Sequence, residues 1–292
     1  MRKTDENNVS VIHLVWLPYG TEMFRNFLSS YCKYNSGYPH HLVLLFNGVA
    51  SEQETAEFLQ IIDEKKVDYK PLVKYGFCQD LDAYFWAAGQ LQSDHLLFLN
   101  SYAEFLSEDW LKKYMEFSKR EDIGLIGATG SWQSYYRSVF INNRWKWEGD
   151  KSWSENYAKF KLLIKASIYW RFLFPDFPNP HIRTNAFFIR RQLMLQLKRR
   201  PLRKKLDAYR MESGYESITR QILKKGKGCI IIDKFGNPYG IKEWAKAKIF
   251  WTENQEELLV ADNQTKKYQV GDAQTRENLS YHAWGNRDRV PD

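Results

Sequence analysis

The feature of this sequence that most constrains its fold is an alternation of strand-sized apolar runs with segments of helical periodicity in its amino-terminal half. Val9–Leu17 and His41–Phe46 are mainly apolar runs of strand length, and Glu22–Tyr34 repeats its apolar residues at the spacing of one helix face. The alternation continues with predicted helices at 51–64, 80–91 and 109–119 and predicted strands at 69–74, 95–99 and 124–127. This rhythm predicts an α/β fold with a mostly parallel sheet flanked by helices, in which ligands bind at the carboxyl ends of the strands.

The rest of the chain departs from this rhythm. Residues 131–174 are rich in Trp, Tyr, Arg and Lys without a clean period, which predicts an insertion that covers a site, with a helix at 157–174. A strand at 182–189, a helix at 216–225, a strand at 229–233 and a polar tail at 244–284 are expected to follow. We therefore predict one domain over residues 1–240, with the insertion at about 131–178, and an extension over 241–292 that packs on the same domain.

The charge of the chain narrows the class of partner. The formal net charge is +8, which favours an anionic partner such as a sugar nucleotide, a lipid-linked acceptor or a membrane surface. Much of this charge lies in the run Lys198–Lys205, which is either a solvated loop or a functional basic patch. The sequence has no nucleic-acid recognition motif, so a nucleic acid is not an expected partner.

The three cysteines and the lack of a long apolar run predict a cytoplasmic protein. Cys32, Cys78 and Cys229 lie far apart and form no metal-binding or redox spacing, as expected in a reducing compartment. No run reaches the length of a membrane span, although peripheral contact with the inner face of a membrane through basic residues is a further expectation.

One segment carries a resemblance to a known family. The sequence HLLFLNSYAEFLSEDWLKKY begins at His95 and is followed by IGLIGATGSW, which ends at Trp132. The chain resembles the family 2 type GT-A glycosyltransferases, in which an apolar strand delivers a short acidic motif, a helix begins with DWL, and a glycine-containing strand follows. More narrowly, GATGSW, FPNPHIRTNAF, LLVADNQT and a late AWG resemble a bacterial group of glycosyltransferase-like proteins.

The resemblance implies a GT-A, Rossmann-like fold and a hexosyltransferase-like activity. Such an enzyme moves a sugar from a nucleotide-diphosphate sugar, with a UDP-sugar favoured, to a bacterial glycan or lipid-linked glycan acceptor in polysaccharide biosynthesis. The resemblance also implies inverting chemistry. The implied donor-binding residues are Pro18, Asn47, Asp80, Asn100, Ser101, Tyr102 and Arg183, and the implied acceptor-binding residues are Trp132, His181 and Asn185.

An inverting transferase needs a carboxylate base, and two glutamates are candidates. Glu212 precedes Ser213-Gly214, where a turn would expose it, and it is the preferred base. Glu216 is the second candidate, although a carboxylate in the first turn of a helix also simply favours the helix dipole. Both glutamates remain open to interpretation as surface charges. His181 follows Pro178-Asn179-Pro180 and is expected either to contact the acceptor or diphosphate or to be a structural histidine.

The chain departs from the family pattern where a metal site is expected. Most GT-A enzymes place an acidic pair after the strand that corresponds to His95–Leu99, and here the residues are Asn100, Ser101 and Tyr102. Hard cations prefer carboxylate oxygen, so we expect no required cofactor, with Mn²⁺ or Mg²⁺ bound through Glu104 as the alternative. Without a metal, cationic side chains must meet the diphosphate, and the candidates are Arg183, Arg220 and Arg276.

Two further acidic segments have alternative interpretations. Asp80-Leu81-Asp82 has the spacing of a metal motif but begins a predicted helix, so a helix cap with a ribose contact is preferred. The polar cluster Asp262–Thr265 is either a helix cap or part of a tail that closes over the donor. The rival function for the whole chain is a catalytically inactive GT-A-like protein that binds glycans or acts as a scaffold in glycan assembly.

Overall fold

The computed structural model describes residues 9–137 and 152–285, and its centre is a large mixed sheet. The strands are β1 (Val9–Trp16), β2 (His41–Val49), β3 (Lys70–Tyr75), β4 (His95–Leu99), β5 (Glu104–Phe105), β6 (Ile123–Gly127), β7 (Gly130–Ser131), β8 (His181–Ile182), β9 (Ala186–Arg190), β10 (Gly228–Ile232), β11 (Pro238–Gly240) and β12 (Val260–Ala261). Short 3₁₀ turns cover Leu17–Tyr19, Glu52–Thr55 and Ile241–Glu243.

Helices flank this sheet. They are α1 (Glu22–Lys33), α2 (Ala56–Glu64), α3 (Asp80–Gln90), α4 (Trp110–Ser118), α5 (Trp153–Leu173), α6 (Arg191–Leu195), α7 (Lys205–Ser213), α8 (Ile218–Lys224), α9 (Asn263–Val270) and α10 (Ala273–Trp284). In the described part of the chain, no helix combines the length and the apolar character needed to cross a bilayer.

The main sheet has eight strands in the order β11-β10-β6-β9-β4-β1-β2-β3. The strands β3, β2, β1 and β4 are mutually parallel, and β6 is parallel to β10. The strand β9 runs antiparallel between β4 and β6, and β11 is antiparallel at the edge. The mostly parallel α/β sheet predicted from the sequence is confirmed.

The core lies on both faces of this sheet, which explains the continuous apolar runs of its strands. In β1, Ile12 and Leu14 pack in the cluster on one face, whereas Val11 and Val15 pack in the cluster on the other. The helices α1, α2 and α4 cover the second face. The first face is covered by α3, α6, α7 and α8 together with residues from the carboxyl-terminal part of the chain.

The predicted strand at 182–189 is not continuous. Residues 183–185 separate β8 from β9 because their backbone groups bond elsewhere. The backbone nitrogen of Arg183 donates to the carbonyl of Thr129 at 3.1 Å, and that of Thr184 donates to the carboxylate of Glu212 at 2.8 Å. The interruption leaves three consecutive polar side chains at the end of the sheet.

Several helices differ from the sequence prediction: α6, α9 and α10 were not predicted, and α2 begins at Ala56 after a 3₁₀ turn. The basic run was predicted to be a loop or a basic patch, but its last residue, Lys205, begins α7. The helix α5 starts at Trp153, four residues before the predicted start, because Ser152 and Glu155 form a reciprocal capping box. Residues 138–151 of the predicted insertion lie outside the described residues.

Several aromatic residues of the predicted polar tail are buried in the core. Trp244, Phe250 and Trp284 are almost fully buried in the cluster on the first face. The strand β12 pairs with β5, and the backbone nitrogen of Trp132 donates to the carbonyl of Ala283 at 3.0 Å. The segment 241–285 therefore shares a core with the main sheet.

Candidate active site

A cavity of about 670 Å³ opens at the carboxyl ends of the parallel strands. Trp16 ends β1, and Asn100 follows β4 at the same edge. Because β9 is antiparallel to β4, its beginning lies at this edge, and the backbone nitrogen of Asn100 donates to the carbonyl of Asn185 at 2.8 Å. The cavity has the size of typical small-ligand sites, about 300–1,000 Å³.

Glu212 is held at the cavity by hydrogen bonds from Thr184. It lies in the last turn of α7 and is half-buried. Its Oε1 accepts a hydrogen bond from the backbone nitrogen of Thr184 at 2.8 Å and another from the Thr184 hydroxyl at 3.1 Å. These bonds fix the carboxylate relative to the polar segment 183–185, so its position depends on both α7 and the start of β9.

Asp80 and His181 are two further titratable residues of the cavity. The surrounding protein partly removes the Asp80 carboxyl from water, and this desolvation raises its pKa. The negative charge of Glu212 raises the pKa of Asp80 further. His181 is buried, and its Nδ1 lies 2.8 Å from the carbonyl oxygen of Asn179. A carbonyl can only accept, so Nδ1 carries the proton and Nε2 of the neutral ring has a lone pair. Burial lowers the pKa of His181, which favours this neutral form.

Two cations line the cavity in different ways. The guanidinium of Arg183 donates to the carboxylate of Asp262 at 2.8 Å and lies 4.2 Å above the ring of Phe250. Asp262 has no exposed surface and also accepts hydrogen bonds from the first backbone nitrogens of α9. Lys205, in contrast, is exposed to the cavity, where a hydrogen bond with Tyr209 raises its pKa. Arg183 is thus held by a buried carboxylate, whereas Lys205 is exposed.

Aromatic rings form one end of the cavity. The ring of Trp16 lies 5.3 Å from that of Phe77 and 6.5 Å from that of Tyr19, and Tyr19 lies 5.1 Å from Tyr102. Gly48 allows this cluster, because its φ is +82° and an added Cβ would lie 2.5 Å from the Trp16 ring. Tyr19 and Phe77 of this cluster are exposed, and aromatic rings of this kind can stack on a planar or pyranose ring.

Asn185 adds a polar group that protein contacts do not saturate. Its side chain is 4% exposed, and its Oδ1 accepts a hydrogen bond from the Thr129 hydroxyl at 2.7 Å. Its buried Nδ2 has no hydrogen-bond partner among the described residues. Because an unpaired buried donor is costly, this amide can contribute a hydrogen bond to a bound ligand.

Most of the residues predicted from the sequence meet in this cavity. Those that line it are Asp80, Asn100, Ser101, Tyr102, His181, Arg183, Asn185 and Glu212. These residues come from segments that are far apart in the sequence and meet because the strands end at one edge of the sheet.

Four predicted residues do not line it: Pro18, Asn47, Trp132 and Glu216. Asn47 is fully buried, and both ends of its amide bond the backbone of Cys78, at 2.9 and 3.3 Å. Trp132 is 1% exposed and donates its indole hydrogen to the carbonyl of Ile241. Glu216 is exposed and forms an ion pair with Arg200 at 2.7 Å. Asn47 supports the segment beside the cavity, and Trp132 is a core residue.

The other cationic candidates lie outside the cavity. Arg220 donates to the side chain of Asn179, and Arg276 packs over the ring of Tyr268. Asp262 caps α9, and Asn263 and Gln264 line the cavity, whereas the closing of this segment over a donor stays a prediction. Sequence reasoning assigned no role to Lys205 or Tyr209 individually, and the basic run was the available signal for Lys205.

The residues after β4 do not fit a divalent metal. The Oδ1 of Asn100 accepts from the backbone nitrogen of Tyr102 at 3.1 Å, and Glu104 is ion-paired with Lys266. Within residues 9–137 and 152–285, no group of three His, Cys, Asp or Glu residues is placed to hold a metal. The acidic residues that line the cavity are Asp80 and Glu212.

Comparison with solved structures supports the fold, whereas comparison of the sequence gives no match. No protein-family model matches the sequence, and no curated protein matches it. Among solved structures, the chain is similar to the mannosyltransferase PcManGT from Pyrobaculum calidifontis in complex with GDP-Man and Mn²⁺, with a TM-score of 0.50 and 10% identity. The match covers 84% of this chain and 61%, less than two thirds, of that protein. The chain has a GT-A fold.

Two further structures show weaker similarity. S. aureus TarS 1-349 in complex with UDP-GlcNAc has a TM-score of 0.32 at 16% identity, covering 41% of this chain and 33% of that protein. GalNAc-T7 with UDP, GalNAc and Mn²⁺ has a TM-score of 0.35 at 16% identity, covering 42% of this chain and 23% of that protein. Scores this low add nothing to the fold assignment, which rests on the sheet and the first match.

Proposed function

We propose that this protein is a glycosyltransferase that moves a sugar from a nucleotide-diphosphate sugar to a glycan or glycoconjugate acceptor. The observation that carries the proposal is the oriented carboxylate of Glu212 in a cavity of about 670 Å³ at the carboxyl edge of a GT-A sheet. Ligands of open α/β sheets bind at this edge. A UDP-sugar remains the favoured donor because of the sequence resemblance.

The aromatic end of the cavity suits the base of the donor. The rings of Trp16 and Phe77 meet edge to face, so a base can stack on one ring and contact the edge of the other. Asn47 contributes indirectly, because its amide ties the end of β2 to the segment that carries Phe77 and Cys78.

The cations of the cavity suit the diphosphate. Bond breaking leaves the electron pair of the glycosidic bond on the diphosphate oxygen, so negative charge grows there. Lys205 lines the cavity with an exposed ammonium, and Arg183 holds a fixed guanidinium beside the polar segment 183–185. No step of the proposed reaction is assigned to a metal.

Glu212 is the proposed base of an inverting reaction. Its carboxylate takes the proton of the acceptor hydroxyl while the acceptor oxygen bonds the anomeric carbon and the bond to the diphosphate breaks. The lone pair of His181 Nε2 can accept a hydrogen bond from the acceptor, and the Nδ2 of Asn185 can donate one. Together they would orient a sugar hydroxyl toward Glu212.

The acceptor and setting are proposed more broadly. The proposed reaction is a hexosyl transfer to a bacterial or lipid-linked glycan in polysaccharide assembly. The proposed location is the cytoplasm, at the inner face of the membrane, which agrees with the basic charge of the chain. A catalytically inactive glycan-binding or scaffolding protein is the second candidate. It is favoured by one observation, the neutral residues Asn100 and Ser101 where an acidic motif is expected.

A donor screen with a catalytic variant tests the proposal. Wild-type protein is first screened against UDP- and GDP-sugars by thermal shift, since a ligand that binds the folded state raises the melting temperature. Release of the nucleoside diphosphate is then followed for the best donor with wild type and Glu212→Gln. Turnover lost in Glu212→Gln supports a transferase. Donor binding without turnover in either protein favours the inactive candidate, and no binding of any sugar nucleotide overturns the proposal.

A further inference from the structure

Exposed apolar side chains occur around much of α5, Leu162 and Tyr169 among them, and five of them lie along one side. Trp153, Tyr157, Ile164, Ile168 and Phe172 have between 43% and 78% of their surface accessible to solvent. They are separated by four or seven residues, which places them on one side of a helix with 3.6 residues per turn. We call these five residues the α5 stripe. Folded monomers rarely leave so long an apolar face in water unless something binds it.

The exposure of the α5 stripe does not come from a detached helix. Asn156 has no exposed surface, and Trp170 is half-buried where its ring stacks 5.2 Å from that of Phe174 and 6.2 Å from that of Tyr135. The helix therefore contacts the domain through one side and presents the α5 stripe on another.

Positive charge lies beside the α5 stripe. Lys161 and Lys165 are exposed on the same helix, and the ammonium of Lys161 lies 4.8 Å from the centre of the Tyr157 ring. At the other end, Phe172 borders a depression whose charged lining residues are three cations and two carboxylates, namely Lys198, Arg200, Arg210, Asp207 and Glu216. An apolar surface with basic residues at its margin is complementary to anionic lipid, whose head groups attract cations and whose acyl chains accept apolar side chains.

We propose that the α5 stripe docks this protein on an anionic membrane surface, with α5 lying in the plane of the membrane. A second copy of the chain fits this surface less well, because it would bring the basic margins of two copies together. The aromatic residues Trp153 and Tyr157 are of the types enriched at membrane interfaces. A helix of 21 residues lying flat provides a contact about 30 Å long.

Docking would bring the cavity close to the lipid. Tyr135 contacts Trp170 and Phe174 on one side and stacks 4.9 Å from Tyr209 on the other, and both tyrosines line the cavity. A lipid-linked acceptor would then reach the cavity from the membrane. The docking itself does not depend on the proposed activity.

Co-sedimentation with vesicles tests the proposal on the full chain. Vesicles of phosphatidylcholine with phosphatidylglycerol are compared with vesicles of phosphatidylcholine alone, at low and high salt. The test variant is Ile168→Glu with Phe172→Glu, and the matched control is Phe235→Glu, which changes a phenylalanine that is 66% exposed elsewhere on the surface. We expect the test variant to lose about tenfold or more in vesicle affinity, because two apolar side chains no longer enter the lipid. The control should bind like wild type.

A second variant covers the case in which the first one misfolds. Lys161→Gln with Lys165→Gln changes two exposed side chains and should reduce the preference for phosphatidylglycerol and the sensitivity to salt.

Binding that neither double variant weakens would overturn the proposal, as would failure of the wild-type protein to bind either vesicle. A dimer in sedimentation velocity that Ile168→Glu with Phe172→Glu dissociates would instead assign the α5 stripe to a second copy. Glu212→Gln should bind vesicles normally, which separates this outcome from that of the proposed activity.

Discussion

Thr184 binds the carboxylate of Glu212 twice, through its backbone nitrogen at 2.8 Å and its hydroxyl at 3.1 Å. The backbone nitrogen is free to do so because residues 183–185 do not continue the strand β9. The interruption of an otherwise apolar strand thus positions the proposed base.

Replacement of Glu212 by glutamine should separate catalysis from folding. Glutamine keeps an oxygen that can accept the two Thr184 hydrogen bonds, so the melting temperature should stay close to that of wild type. Loss of the basic carboxylate should lower transfer by about two to four orders of magnitude. Release of nucleoside diphosphate under saturating donor measures the effect. Glu216→Gln is the control, because Glu216 lies outside the cavity in an ion pair with Arg200. If Glu216→Gln lost transfer activity and Glu212→Gln kept it, the base would be misassigned.

The two cavity cations should respond differently to removal. Lys205→Ala should weaken donor binding with little change in stability, because Lys205 is exposed. Arg183→Ala should weaken donor binding and also lower the free energy of unfolding by about 3 kcal/mol, since it leaves the fully buried Asp262 without its partner cation. Calorimetry of the best donor and urea unfolding of both variants measure these effects. Lys204→Ala, an exposed neighbour that does not line the cavity, serves as the control. Equal stability of Arg183→Ala and wild type would contradict the ion-pair argument.

Chelation of divalent metals should change donor affinity little. The residues after β4 include one nearby carboxylate, that of Glu104, and Lys266 pairs with it. Calorimetry of the best donor in excess EDTA, repeated with added Mn²⁺, measures the dependence. An affinity loss of about a hundredfold on chelation, equal to about 2.7 kcal/mol, would establish a metal site and refute this expectation.

His13 should make stability depend on pH in the acidic range. It is buried in β1, with its ring 3.6 Å from that of Phe27, and burial lowers its pKa to about 3. The unfolded chain, in which a histidine titrates near 6.5, therefore binds a proton that the folded chain excludes. The contribution of His13 to the free energy of unfolding is therefore highest above about pH 6.5, and it decreases as the pH falls from 6.5 toward 3.

Substitution of His13 by phenylalanine isolates this effect. The variant keeps a ring against Phe27 but has no group to protonate. Between about pH 6.5 and 4.5, wild type should lose roughly 2 kcal/mol more unfolding free energy than His13→Phe. Urea unfolding at the two pH values measures the difference, and His41→Phe at an exposed position is the control. Parallel losses in wild type and His13→Phe would rule out this assignment.

The sheet was predictable because its strands are buried on both faces. The runs that begin at Val9, His41 and His95 are apolar enough to be recognised without any tertiary information, and their order implies a parallel sheet. Positions such as Asp80 and Asn100 were also accessible to sequence reasoning, because polar residues that directly follow a strand or begin a helix meet at one edge of the sheet.

Other parts of the site depend on contacts that a local pattern does not encode. The segment 183–185 was predicted to be strand because its polar side chains interrupt no strong period, and its partners Thr129 and Glu212 lie far away in the sequence. The helix α7 was missed because its first residue, Lys205, continues a basic run after Pro201. Trp132 resembled a ligand-binding residue, but its indole contacts the ring of Trp284 in α10 and donates to the carbonyl of Ile241.

The antiparallel strand β9 limits how the specificity of this cavity can be altered. Phe187 and Phe188 point to opposite faces of the sheet, into different clusters. An insertion or deletion at residues 183–185 that slipped β9 by one position would exchange those faces and disrupt both clusters. The segment 76–79 between β3 and α3 is also fixed, because the amide of Asn47 bonds the backbone of Cys78 and Gly76 bridges Val49. Point substitutions of side chains, rather than loops of other lengths, are therefore the way to redesign ligand choice in both segments.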